Sequence, residues 1–237
     1  MVSTSGSQMK VSEISAPRVH DLLEIDAHAL TADSVSRPQW ITETLVRCPW
    51  VVVRRGQAPA GRISVGVRGA ARSERWAGCC SETLIKKIVR PAELLVPSWI
   101  SAHLRRTPAL QALEEVVERW QGLSLPWGPT GSVGFELATG HPVTTEASDL
   151  DLAVRATNRI DTERALFLWD RLAGLQVKVD VRVETPMCGF SLDEYAHASS
   201  ARILLRYPDG LRLGDDPWLL MTAGPSNVHS SDSETAA

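Results

Sequence analysis

The chain lacks the features that would assign it to several broad classes. No apolar run approaches the ~20 residues that a membrane-spanning helix requires, so no membrane is expected as a partner. The first residues, MVSTSGSQMKVSE, hold no apolar stretch of the kind a secretory signal uses. Only four cysteines occur, Cys48, Cys79, Cys80 and Cys188, and none are spaced C-x-x-C. Adjacent cysteines such as Cys79 and Cys80 rarely bridge each other, so free thiols in a reduced, cytoplasmic protein are expected. The six histidines show no metal-ligand spacing and are expected to be structural or exposed; His141, which follows Gly140, is the one near the acidic motif described below. No G-x-S-x-G elbow and no Cys-His arrangement supports a covalent nucleophile. Neither a P-loop nor a dinucleotide fingerprint is present. With a net charge of −3 and no interleaving of basic and aromatic residues, nucleic acid is not expected as a partner.

What is present is enough for a real core. The chain has 237 residues, 43% of them hydrophobic, sufficient for one large domain or two small ones. Its charge is divided. Residues 54–90 carry nine Lys/Arg against two acids, whereas residues 121–237 carry nine Lys/Arg against sixteen acids. A basic surface in one part and an acidic metal site in the other would suit a polyanionic substrate.

Periodicity and punctuation predict an α+β chain. The N-terminal part reads as a strand within HDLLEIDAHAL, a helix over SRPQWITETLVRCP capped by Ser36, the strand WVVVRR, an alternating segment at Ile63, Val65 and Val67, and an Arg-rich loop. A helix over SETLIKKIVR, capped by Ser81, ends before Pro91. Beyond a soft boundary near Pro91, TPALQALEEVVERWQG predicts a helix with Thr107 as cap and Gly122 as stop. LPWGPTGS predicts a short strand and turn, and VGFELATG is ambiguous between strand and helix. SDLDLAVRA predicts a strand, and DTERALFLWDRLAG a helix capped by Asp161. QVKVDVRVET alternates most cleanly, valines on one face and Lys178, Asp180, Arg182 and Glu184 on the other. SLDEYAHASS predicts a short helix, and ARILLRYPDGLRLG a hairpin around Pro208-Asp209-Gly210. The expected organisation is a disordered N-terminus (1–15), a small basic α/β domain (16–90), a mixed sheet with flanking helices (91–221) and a disordered tail (222–237).

One constellation carries chemistry. Asp149 and Asp151, spaced i, i+2 on a predicted strand, point from the same face. Asp180 sits mid-length on a later strand, after a crossover helix. If the strands are neighbours, the three carboxylates converge on hard divalent cations, Mg²⁺ or Mn²⁺. Upstream, the Gly131-Ser132 turn offers backbone N–H groups to phosphate oxygens. This combination suggests metal-assisted phosphoryl or nucleotidyl transfer.

The Gly-Ser turn, the D-x-D strand and the distal aspartate resemble the nucleotidyltransferase superfamily typified by DNA polymerase β. PTGSVGFELATG together with SDLDL resembles, more closely, the malonate decarboxylase holo-acyl-carrier-protein synthase family, the phosphoribosyl-dephospho-CoA transferases. Val65–Ala77, VGVRGAARSERWA, is similar to that family's basic segment. The resemblance implies an enzyme, with a nucleotidyltransferase-like catalytic domain, that moves a prosthetic group from triphosphoribosyl-dephospho-CoA to a serine of the acyl carrier subunit of malonate decarboxylase and releases pyrophosphate. It implies Asp149, Asp151 and Asp180 as metal ligands and catalytic residues, with Gly131 and Ser132 cradling phosphates. Arg68, Arg72 and Arg75 would bind the donor or the acidic carrier. Two alternatives stay open: a nucleotidyltransferase that uses ATP on another acceptor, and a non-catalytic binding module of the same fold.

Overall fold

The structure, a computed structural model, describes residues 16–26, 30–31, 37–69, 73–95, 107–198 and 202–219. The two segments expected to be disordered, the Ser36 cap and Arg72 lie outside the described residues. Among the described residues, two six-stranded sheets organise the α+β chain. The first contains β1 (Leu22–Ile25), β2 (Leu30–Thr31), β3 (Trp50–Val53), β4 (Arg62–Arg68), β5 (Arg75–Ser81) and β6 (Ile85–Val89) in the order β2-β5-β4-β3-β1-β6. All its pairings among the described residues are antiparallel. Helix α1 (Gln39–Arg47) covers one face, burying Ile41 and Leu45 against Leu23, Ile25, Val51, Val53 and Val65.

The second sheet runs β12-β11-β10-β9-β8-β7: β7 (Trp127–Pro129), β8 (Leu150–Arg155), β9 (Val179–Glu184), β10 (Gly189–Ser191), β11 (Ile203–Tyr207) and β12 (Gly210–Gly214). Its one parallel pair among the described residues is β8 with β9, joined through α4 (Thr162–Asp170). Asp161 caps that helix, accepting from the Arg164 N–H, and Gly174 takes a left-handed φ of +79° just past its last turn. Leu150, Leu152 and Val154 of β8 join Val181 and Val183 of β9 in one core with α2 (Pro108–Arg119), α3 (Gly131–Thr139), α4 and α5 (Leu192–His197). Leu22 and Val89 of the first sheet enter the same core, and Trp50 and Val52 pack against it. Strand β1 thus serves both cores, its alternate residues pointing to opposite faces. None of the described helices is long and apolar enough to cross a membrane.

Two predicted elements are corrected. The helix expected over SETLIKKIVR is a 3₁₀ turn (Glu82–Leu84) followed by strand β6. Ile85, Ile88 and Val89 imitate a helical i, i+3, i+4 spacing, but a run this short fits both periods. Pairing with β1, Leu22 opposite Val89 and Leu23 opposite Ile88, decides for the strand. Part of the expected Arg-rich loop is strand β5, in register with β4 from Arg62–Ser81 to Arg68–Arg75. The ambiguous VGFELATG is helical, within α3, and stops at Gly140 with φ +73°. The four cysteines are buried free thiols, as expected.

Candidate active site

The parallel register of β8 and β9 builds the site. Asp151 stands opposite Asp180, Ala153 opposite Arg182, and Arg155 opposite Glu184. Alternation puts all six on the sheet face away from the Leu/Val core. Asp149 precedes β8 by one residue, because the first ladder bond is made by Leu150, whose N–H donates to the Lys178 carbonyl at 2.9 Å. It is exposed, yet its charge reaches Asp151.

Gly131 closes the other side. It opens α3 with φ +56°, and a Cβ there would collide with the Asp151 carboxylate. The Thr130 N–H donates to the Asp151 carbonyl at 2.8 Å, tying the helix start to β8. Thr130 and Gly131 line the cleft, whereas Ser132, half-buried, lies one residue further into the helix. Glu136, fully buried on α3, accepts from the N–H groups of Val143 and Thr144 at 2.8 and 2.6 Å and from the Thr144 hydroxyl at 2.7 Å. That carboxylate orders the connection running back to Asp149 and Asp151.

The opposite wall comes from the first sheet. A cleft of about 650 Å³ is lined by Asp151, Asp180, Arg182, Glu184 and Arg206 on one side and His20, Arg54 and Arg55 on the other. Glu184, only 6% exposed, accepts from His20 Nε2 at 2.9 Å with one oxygen and from Arg55 with the other. Burial, the largest influence on this carboxyl, pushes its pKa up, but His20 and Arg55 together hold it below its ordinary value. On the same rung, Arg155 donates to the Val19 carbonyl at 2.7 Å and to buried Asp21 at 3.3 Å. The two sheets are therefore stitched together by charged groups along the edge of the cleft.

The electrostatics favour a cation at the apposed aspartates. Burial first, then Asp180 and Asp149, raises the Asp151 pKa, and Arg182 and His20 only partly relieve it. Asp180 is paired with Arg182 at 2.6 Å. No three His, Cys, Asp or Glu side chains among the described residues form a metal cage by themselves. Two hard carboxylates beside a helix start are nonetheless the donor set Mg²⁺ uses when substrate phosphates complete its shell. On the cleft's far flank, Nη1 of Arg206 is buried with no hydrogen-bond partner among the described residues, a donor suited to an anion.

Of the residues singled out in the sequence, the structure brings Gly131, Asp151 and Asp180 together, with Asp149 exposed just before β8. Arg68 and Arg75 are cross-strand partners on β4 and β5, exposed and away from the cleft lining. Sequence reasoning missed His20, Arg55, Glu184 and Arg206. Glu184 and Arg182 carried a signal, as charged residues on the same face as Asp180. His141 is exposed and bonded to Thr139 rather than turned to the site.

Comparisons with known proteins cover both sheets. The family model for the "Phosphoribosyl-dephospho-CoA transferase MdcG C-terminal domain" matches residues 98–217, and that for the corresponding N-terminal domain matches residues 18–91. A phosphoribosyl-dephospho-CoA transferase of Pseudomonas putida is 39% identical over 216 residues, which is 90% of this chain and 100% of the relative. Relatives of the same name from Azotobacter vinelandii and Klebsiella pneumoniae are 38% and 37% identical, each over 85% of this chain and 94% and 96% of their own. No solved structure matches.

Proposed function

From the premise that the chain belongs to the phosphoribosyl-dephospho-CoA transferase family, and is a transferase of that group, we propose that it moves phosphoribosyl-dephospho-CoA from triphosphoribosyl-dephospho-CoA to a serine of the malonate decarboxylase acyl carrier subunit. The serine oxygen forms a bond to the α-phosphorus, the bond to the pyrophosphate oxygen breaks, and pyrophosphate leaves with that electron pair. The observation that supports this reading is the Asp151–Asp180 pair, in register across parallel strands and pressed against Gly131 at the start of α3.

Each residue has a part that follows from its place. The N–H groups at the start of α3 bind phosphate oxygens, and the bare Gly131 lets them come close. Arg182 and Arg206 face the donor's negative charge from β9 and β11. Asp149, Asp151 and Asp180 would hold Mg²⁺ or Mn²⁺, which when bound neutralises phosphate charge and stabilises the attacking and leaving oxygens. The cleft walls orient donor and acceptor for in-line displacement, so positioning and charge neutralisation carry the catalysis. The cytoplasm is the expected compartment.

Intact-mass spectrometry of the apo carrier, incubated with this protein, Mg²⁺ and the donor, tests the reading. The expected result is a mass gain equal to the donor minus pyrophosphate, lost with EDTA. A nucleotide-sized gain with ATP instead would move the function to the ATP-dependent alternative. No gain with either would leave the non-catalytic reading.

A further inference from the structure

Among the described residues, one non-glycine residue adopts a left-handed backbone, and it lines the candidate active site. His20 has φ +75°. Such a conformation is strained and persists only where its surroundings over-determine it. Here they do. The His20 N–H donates to the Val53 carbonyl at 3.0 Å, and the Val53 N–H donates to the Asp21 carbonyl at 2.8 Å. Arg155 grips the Val19 carbonyl on one side and Asp21 on the other, while Asp21 accepts from the Arg18 N–H at 2.8 Å. A turn pinned on both sides presents one imidazole to the cleft.

The chemistry of its partner defines which nitrogen carries the proton. Glu184 is held ionised by Arg55 and can only accept, so His20 Nε2 donates to it. In the neutral ring, the form a base must have, Nδ1 then bears the lone pair. A base oriented through its other nitrogen by a buried carboxylate is the arrangement that activates hydroxyl nucleophiles. The ring is 23% exposed, so it is reachable from the cleft it lines. Asp180, a second group that could take a proton, is already paired with Arg182.

We infer that His20 is the general base of the transfer, its Nδ1 accepting the proton of the acceptor hydroxyl as that oxygen bonds to phosphorus. The step balances: the hydroxyl proton passes to Nδ1, the oxygen's electron pair forms the new P–O bond, and the pyrophosphate oxygen keeps the pair of the bond that breaks. The inference rests on the reading that the Asp151–Asp180 cleft is the transfer site. It adds that the first sheet supplies a catalytic residue, not only a wall.

The test is a single-turnover transfer to the apo carrier by the full chain with excess enzyme, for wild type, His20→Gln and His20→Ala, beside titration of donor binding. The expected result is a rate constant on the order of 10²-fold lower in both variants, donor affinity within about two-fold of wild type, and partial recovery of His20→Ala by free imidazole. A His20→Gln enzyme with wild-type rate overturns the assignment. So does a loss of donor binding that matches the loss of rate without imidazole rescue, which would make the ring a structural support. A wild-type enzyme that transfers nothing from this donor would instead overturn the parent reading, and the acceptor assigned to His20 with it.

Discussion

Each sheet holds a pair of like charges directly across two neighbouring strands, and the two pairs live under opposite conditions. Arg68 faces Arg75 between β4 and β5, both exposed. Asp151 faces Asp180 between β8 and β9, both partly withdrawn from water, with the Asp151 carboxyl pushed above its ordinary range by burial and then by its neighbours. Water and salt screen the arginines, so their repulsion costs little. The aspartates pay for theirs. A like-charge pair therefore carries functional information where solvent is withdrawn and little where it is not. Topology adds to the contrast. The parallel β8–β9 pair, made by a crossover through α4, aligns three rungs of charged or small residues that face the first sheet.

The largest effect should come from breaking the acidic pair. Asp151→Asn is expected to lower carrier modification by about 10³-fold or more, the scale of losing several kcal/mol of charge stabilisation. Thermal unfolding should hold or rise, because one of two apposed carboxylates has lost its charge. A variant that unfolds early and keeps its rate would make the pair structural and erase the distinction from the arginines.

Next in size is the charged seam that sets one pair in a cleft. Removing the Glu184 carboxylate strands Arg55 and His20, so Glu184→Ala should cost about 3 kcal/mol of stability, the scale for breaking a buried pair. The sign with pH follows from its depressed pKa. The stabilisation is complete above the carboxyl's ordinary value of 4.5 and drains away as pH falls through the lower value it has when folded. Denaturant unfolding from pH 7 to pH 3 should therefore fall more steeply for wild type than for Glu184→Gln. Parallel curves would detach Glu184 from the seam.

Gly131→Ala comes third. It forces a side chain into φ +56° and onto the Asp151 carboxylate. About 1–2 kcal/mol of backbone cost is expected from the left-handed conformation alone, with a loss of donor binding as α3 shifts from the aspartates. Unchanged donor affinity would release the helix start from phosphate binding.

How far the site could be read from sequence depends on what each residue's role rests on. Asp149, Asp151 and Asp180 were legible because alternation on a strand is a local property, and the valines beside Asp180 declare which face is core. The pairing of Asp151 with Asp180 is tertiary but follows once a crossover helix joins two strands. His20 was not legible: its role depends on a turn held by Arg155, 135 positions away, and on Glu184 across the cleft. Strand β6 was misread for a related reason, since Ile85, Ile88 and Val89 suit either period and β1 decides between them. The two arginines of the first sheet drew attention through local composition, which is silent about the distance to the cleft.

The smallest effect is predicted for those arginines, and it sharpens the comparison most directly. Arg68→Gln and Arg75→Gln, singly or together, should change stability by no more than about 0.5 kcal/mol, as exposed substitutions do. Donor KM should not move, because neither side chain lines the cleft. The carrier is a separate question with a separate readout. An acidic carrier approaching this exposed basic pair would be steered by long-range charge, which acts on encounter rate and fades with salt. A carrier KM that rises in the double variant at low salt, and converges with wild type at high salt, would make the exposed pair a docking feature. A donor KM that rises instead would mean the arginines reach the phosphates, and that exposure is a poor guide to which like-charge pair does chemistry.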